Sequence, residues 1–124
     1  PASGGWGMWP EVSRLRIYLR SGPTDMRKQA YSLAALVEQE WKSPLFSGDL
    51  FLFCGKSRRV LKILYWDRNG FCLWTKRLER GTFPWPREQS ATEPVVLTAE
   101  ELSMLLEGID FWKRFPVVQY SRLT

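Results

Sequence analysis

The chain has 124 residues, 44% hydrophobic and 25% charged, the size and composition of one ordinary globular domain, which excludes a disordered tail or a collagen-like repeat. Its 18 Lys and Arg against 13 Asp and Glu leave a net charge of +5, a balance that suits an anionic partner. It contains no His, so imidazole general bases, Ser-His-Asp and Cys-His nucleophiles and His-containing zinc sites are all excluded.

Residues 1–13 open Gly-rich and without periodicity and read as a flexible leader or cloning scar, ahead of a single domain over 14–112 and a tail over 113–124. Arg14-Leu15-Arg16-Ile17-Tyr18-Leu19-Arg20 alternates charged and apolar residues, the pattern of a half-buried strand. Ser21-Gly22-Pro23 breaks it, and from Thr24 a helix is expected, with Met26, Ala30, Leu33, Val37 and Trp41 at three- and four-residue steps. Ser43-Pro44 stops that helix, and Leu50-Phe51-Leu52-Phe53-Cys54 reads as a buried strand. The runs 60–66 and 71–78 flank Asn69-Gly70, a strong hairpin signal. With Asn69-Gly70 as the loop, Trp66 is expected opposite Leu73, Tyr65 opposite Trp74 and Lys62 opposite Arg77. Three prolines make 82–94 a loop, and Val95-Val96-Leu97 resumes a strand. Thr98 and Glu101 then fit a capping box, and Leu102, Leu105, Leu106 and Ile109 give the last helix its apolar stripe. The order predicts an α+β fold: a small antiparallel sheet of about four to five strands, a central basic hairpin, and two helices.

Cys54 and Cys72 form no Cys-x-x-Cys pair and cannot close a structural zinc site, so both read as reduced hydrophobes in a cytoplasmic protein. No secretory leader or membrane-spanning run is visible. No carboxylate pair is marked out by spacing, which leaves no metal site and no cofactor to expect.

The charge is concentrated. Residues 56–80 hold Lys56, Arg58, Arg59, Lys62, Arg68, Lys76, Arg77 and Arg80 against Asp67 and Glu79, a net +6 on a chain that is otherwise near neutral. The aromatics Tyr65, Trp66, Phe71 and Trp74 are interleaved with them. Cations can neutralise phosphates while rings stack on exposed bases. The same pattern also describes a solvated strand edge with one aromatic core face. Arg27 and Lys28, placed in a helix's first turn, oppose the helix dipole. They suit a phosphate held at the helix N-terminus, unless a carboxylate such as Asp25 offsets them.

Several ordered blocks resemble a known family. They are Thr24-Asp25-Met26-Arg27-Lys28 with Leu33-Ala34-Ala35-Leu36-Val37, Lys62-Ile63-Leu64-Tyr65-Trp66-Asp67, and Lys76-Arg77-Leu78-Glu79-Arg80-Gly81 with Phe83 and Trp85-Pro86. Leu97-Thr98 leading into Leu105-Leu106-Glu107-Gly108-Ile109-Asp110 completes the set. Together they are similar to the small TnpB-like accessory protein encoded by the second open reading frame of insertion-sequence-66-type transposons, over residues 14–112. The resemblance implies a non-catalytic role in transposition beside a separate transposase that carries the strand-transfer chemistry. The expected contacts to DNA are Arg27, Lys28, Arg58, Arg59, Lys62, Arg68, Lys76, Arg77 and Arg80, with Trp66 and Trp74 as aromatic candidates. Other expected partners are the transposase and further transposon-encoded proteins. The alternative is a module that docks on the transposase without touching DNA, anchored by Trp66, Trp74 and the acidic last helix.

Overall fold

The computed structural model describes residues 15–41, 45–87 and 93–112. The expected leader, the expected tail and the Ser43-Pro44 stop lie outside the described residues. Five strands, β1 (Ile17–Leu19), β2 (Leu50–Cys54), β3 (Val60–Asp67), β4 (Gly70–Arg77) and β5 (Val95–Leu97), form one sheet in the order β4-β3-β2-β1-β5. Helix α1 (Ala30–Glu40) covers one face of the sheet and helix α2 (Ala99–Leu106) the other. The α+β expectation therefore holds, with two corrections. The sheet is mixed, because β1 and β2 run parallel. A helical crossover between them returns the chain to the end it left, which antiparallel strands do not need. The basic hairpin also sits at the edge rather than the centre, with β4 outermost.

Alternation sorts the side chains. Ile17, Leu19, Leu50, Leu52, Cys54, Leu61, Ile63 and Tyr65 face the α2 side and pack with Leu97, Leu102, Leu105, Phe83, Trp85 and Phe111. Phe51, Phe53 and Leu64 face α1 and meet Leu33, Ala34 and Val37. Burying each such aliphatic or aromatic side chain contributes roughly 1.5–3 kcal/mol. All five residues of β2 are buried, which explains why it reads as a continuous apolar run rather than an alternating one.

Two local expectations are corrected. The hairpin loop is Arg68-Asn69, with Asp67 paired to Gly70 and Arg68 in the left-handed region at φ 54°. Trp66 therefore meets Phe71, Tyr65 meets Cys72 and Lys62 meets Thr75, each two residues short of the expected partner. A shift of two keeps every side chain on its face. It also brings the Trp66 and Phe71 rings to 5.0 Å, edge to face, a cross-strand aromatic pair of the stabilising kind. The first helix begins at Ala30, not Thr24. Residues 25–28 form a turn instead. The Asp25 carboxylate accepts from the Arg27 backbone N–H at 2.9 Å, and its carbonyl accepts from the Lys28 N–H at 3.1 Å, a local alternative to helix that Asp favours.

At α2 the capping box is formed in both directions between Thr98 and Glu101. The helix ends on Gly108 at φ 79°, with Gly108 N–H bonded to Leu105 O and Ile109 N–H to Met104 O, the Schellman arrangement.

Candidate nucleic-acid interface

The nine cations expected to meet DNA have three different fates. Lys62 is 6% exposed. Its ammonium donates to the carbonyls of Met26 and Lys28, both at 2.8 Å, so it pins the 25–28 turn onto the sheet. Lys76 lies on the opposite face, where its ammonium donates at 2.7 Å to Leu106 O at the end of α2. A cation there satisfies a terminal carbonyl and complements the helix dipole. Both side chains of the hairpin's interior are committed to backbone. Arg68 is 89% exposed at the loop, with only a loose 3.8 Å approach to Asp67.

The remaining cations gather at the other end. β3 and β4 are each eight residues long, so about 25 Å separates the Arg68 loop from the open end of the hairpin. There Val60 pairs with Arg77. Leu78 N–H bonds Arg59 O at 2.9 Å and Phe83 N–H bonds Arg58 O at 2.7 Å, so residues 78–83 fold back beside Arg58 and Arg59 and carry Arg80 with them. The 22–28 segment arrives at the same end through Thr24 N–H to Cys54 O at 2.8 Å and the Lys62 anchor. Residues 85–87 follow through Gly22 N–H to Pro86 O at 2.8 Å. These segments hold Arg27, Lys28, Lys56, Arg58, Arg59, Arg77, Arg80 and Arg87 against Asp25 and Glu79.

Within this group Arg27 is occupied by Asp25, with guanidinium-to-carboxylate contacts of 2.8–3.2 Å. Its hydrogen bonds hold the exposed Asp25 carboxyl well below the usual carboxylate range. Neither Arg27 nor Lys28 lies in a helical turn, and the Gln29 cap of α1 makes no side-chain bond, so the expected helix-end phosphate site is not built in that form. Among the described residues, no carboxylate is bonded to Arg58, Arg59, Arg77 or Arg80. Arg87 also belongs to this surface, with no sequence signal to mark it. In sequence it follows a proline loop, and only the fold brings it beside Arg58.

The aromatics divide as well. Trp74 faces the α2 side and packs against the larger core. Trp66 faces the α1 side and meets the Phe46 ring at 4.8 Å, Phe46 meets Phe71 at 5.8 Å, and Tyr31 meets Phe71 at 6.1 Å. Tyr31 is 83% and Phe46 66% exposed. Neither stood out in the sequence, because Tyr31 occupies a helical position and Phe46 an isolated one. The hairpin is not a free-standing ribbon, since β3 is hydrogen-bonded to both β2 and β4. Among the described residues no cluster of metal-ligating side chains occurs, and no helix is long and apolar enough to cross a membrane.

Residues 15–115 match the family of IS66 Orf2-like proteins. The chain belongs to that family. The matched span contains every cation of the open end and both helices. Similar proteins are y4hO of Sinorhizobium fredii, described as uncharacterized, at 39% identity over 84% of this chain and 89% of that one. The uncharacterized protein y4jC of the same organism is 36% identical over 88% and 93% of the two chains. No solved structure matches. As an IS66 Orf2-like protein, the chain is associated with transposition in an accessory role.

Proposed function

We propose that this IS66 Orf2-like protein is a non-catalytic accessory factor that holds DNA through phosphate contacts from the open end of the β3–β4 hairpin. Arg58, Arg59, Arg77 and Arg80 are the principal contacts, with Lys28 and Arg27 beside them and Arg68 as an outlying contact at the loop. Lys62 and Lys76 position this surface. The observation that carries the reading is the convergence of three stretches of chain, 22–28, 55–60 and 77–87, eight cations among them, on one end of the sheet. Such a surface attracts any nucleic-acid backbone, and its affinity derives from released counterions. Work on DNA in a bacterial cell places the protein in the cytoplasm, beside the transposase.

Fluorescence anisotropy of the full chain on transposon-end and random DNA across a salt series tests this. Log K is expected to fall linearly with log salt, with a slope of about −0.9 per phosphate contacted on duplex DNA. Absence of binding at low salt would falsify the reading.

One observation favours a second reading, docking on the transposase. The exposed Tyr31 and Phe46 rings and the half-buried Trp66 and Phe71 rings form a contiguous patch of the composition that anchors protein interfaces. A purified transposase that binds this chain, and loses it on Phe46→Ala with Trp66→Ala while DNA affinity stays, would favour docking.

A further inference from the structure

A cavity of 330 Å³ opens beyond the carboxyl ends of β1 and β2, lined by Gly22, Pro23, Gly55, Lys56, Arg58, Trp85, Pro86 and Arg87. Three features distinguish it from an ordinary surface hollow. Among the described residues its charged lining is three cations, Lys56, Arg58 and Arg87, and no carboxylate. It lies where two parallel neighbours send their chains apart, β1 towards α1 and β2 into β3, the position at which open α/β sheets place their ligands. Its walls are also fixed from behind. Trp85 Nε1–H donates to Arg20 O at 2.9 Å, and Gly22 N–H donates to Pro86 O. Arg20 itself is 8% exposed, paired with Glu40 at 2.9 Å and bonded to Pro23 O and the Thr24 hydroxyl.

The lip of the cavity carries backbone strain. Arg58 has φ 60°, a conformation that Gly or Asn adopts at lower cost. It is held there by Arg58 N–H to Gly55 O at 3.0 Å and Phe83 N–H to Arg58 O. The turn that joins β2 to β3 calls for this conformation, and it sets Arg58 on the cavity wall.

We propose that this cavity is a nucleotide-phosphate pocket, in which Lys56, Arg58 and Arg87 hold the phosphate while Trp85, Pro23 and Pro86 wall the sugar and base. Guanidinium and ammonium groups together match a phosphate's several oxygens. The volume falls within the range of small-ligand pockets. The nucleotide belongs either to a DNA strand crossing the open end or to a free nucleotide. The first source rests on the DNA-binding reading, whereas the second does not.

Calorimetric titration of the full chain with thymidine 5′-monophosphate, and with thymidine, tests the pocket beside anisotropy on a short single-stranded oligothymidylate. The monophosphate is expected to bind at least about tenfold more tightly than thymidine. Lys56→Ala with Arg87→Ala is expected to weaken it about tenfold or more, and Arg16→Ala, at the far end of β1, to leave it within about twofold. Arg58→Gly removes the guanidinium while relieving the backbone, so a loss of affinity at an unchanged melting temperature belongs to the guanidinium. If the oligonucleotide weakens together with the monophosphate, the pocket takes a strand's nucleotide. If the monophosphate alone weakens, it takes a free one. Monophosphate bound by a chain without DNA affinity supports the pocket and removes the hairpin reading. DNA affinity lost in Arg77→Ala with Arg80→Ala, with monophosphate affinity unchanged in both pocket variants, overturns the pocket and keeps the hairpin. Failure of the native chain to bind either probe overturns the pocket as well.

Discussion

The interior of the β3–β4 hairpin and its open end contain the same kind of residue and use it in opposite ways. Lys62 and Lys76 point to opposite faces of the sheet, and each ammonium finds backbone carbonyls, Met26 and Lys28 for one and Leu106 for the other. At the open end Arg58, Arg59, Arg77 and Arg80 have no bonded carboxylate among the described residues. The difference is positional. A long amphipathic side chain within a covered strand lies along apolar surface and ends at whatever acceptor the covering segment offers. One at or beyond the last ladder pair meets water. A count of cations in a segment is therefore not a count of cations free to bind.

Four measurements break or sharpen this contrast. The largest effect is expected from Lys62→Met, which keeps the stem but leaves the Met26 and Lys28 carbonyls without their donor. Urea unfolding should show a loss of about 3 kcal/mol. A variant that keeps its stability but loses DNA would make Lys62 a binding group after all. Lys76→Met should lose about 1 kcal/mol by the same measurement, because the Schellman turn still serves the end of α2.

The third effect is read against pH. Burial pushes the Cys54 thiol up from 9.0 to about 12. Burial, and then a hydrogen bond with Cys72, pushes the Tyr65 hydroxyl from 10.0 to about 12. The folded state holds both protons more tightly than the unfolded state, so this contribution is complete below about pH 9 and is lost as pH rises towards 12. Melting temperature should decline through that window, and Cys54→Ala should make the decline shallower. The smallest stability change belongs to Arg77→Ala with Arg80→Ala, within about 0.5 kcal/mol. The same pair should lower DNA affinity and reduce the salt slope by about 2 on duplex DNA.

Local chemistry was legible wherever a motif satisfies itself. The Thr98–Glu101 capping box reads directly, since its two partners lie three residues apart. The apolar run of β2 was identified from its length and composition. Periodicity starts the first helix at Thr24, six residues before Ala30, because Met26 fits a helical stripe while Asp25 closes a turn on its own backbone. The Asn69-Gly70 signal sets a register two residues from the one observed, because Arg68 takes the left-handed position instead. Nothing in the sequence neighbourhood of Arg87, Tyr31 or Phe46 announced the groups they join, because each joins residues distant along the chain.

By itself the sequence determined a basic chain without imidazole chemistry, its two helices, a concentration of positive charge over 56–80 and its resemblance to IS66 Orf2-like proteins. These are properties of composition and of short periodic patterns. The tertiary structure alone decided that β1 and β2 run parallel, that Lys62 and Lys76 are bound inward, and that the free cations collect at one end of the sheet around a cavity. Those outcomes depend on which carbonyl or ring the fold brings within a few ångströms, and a charge acquires its role from that neighbour.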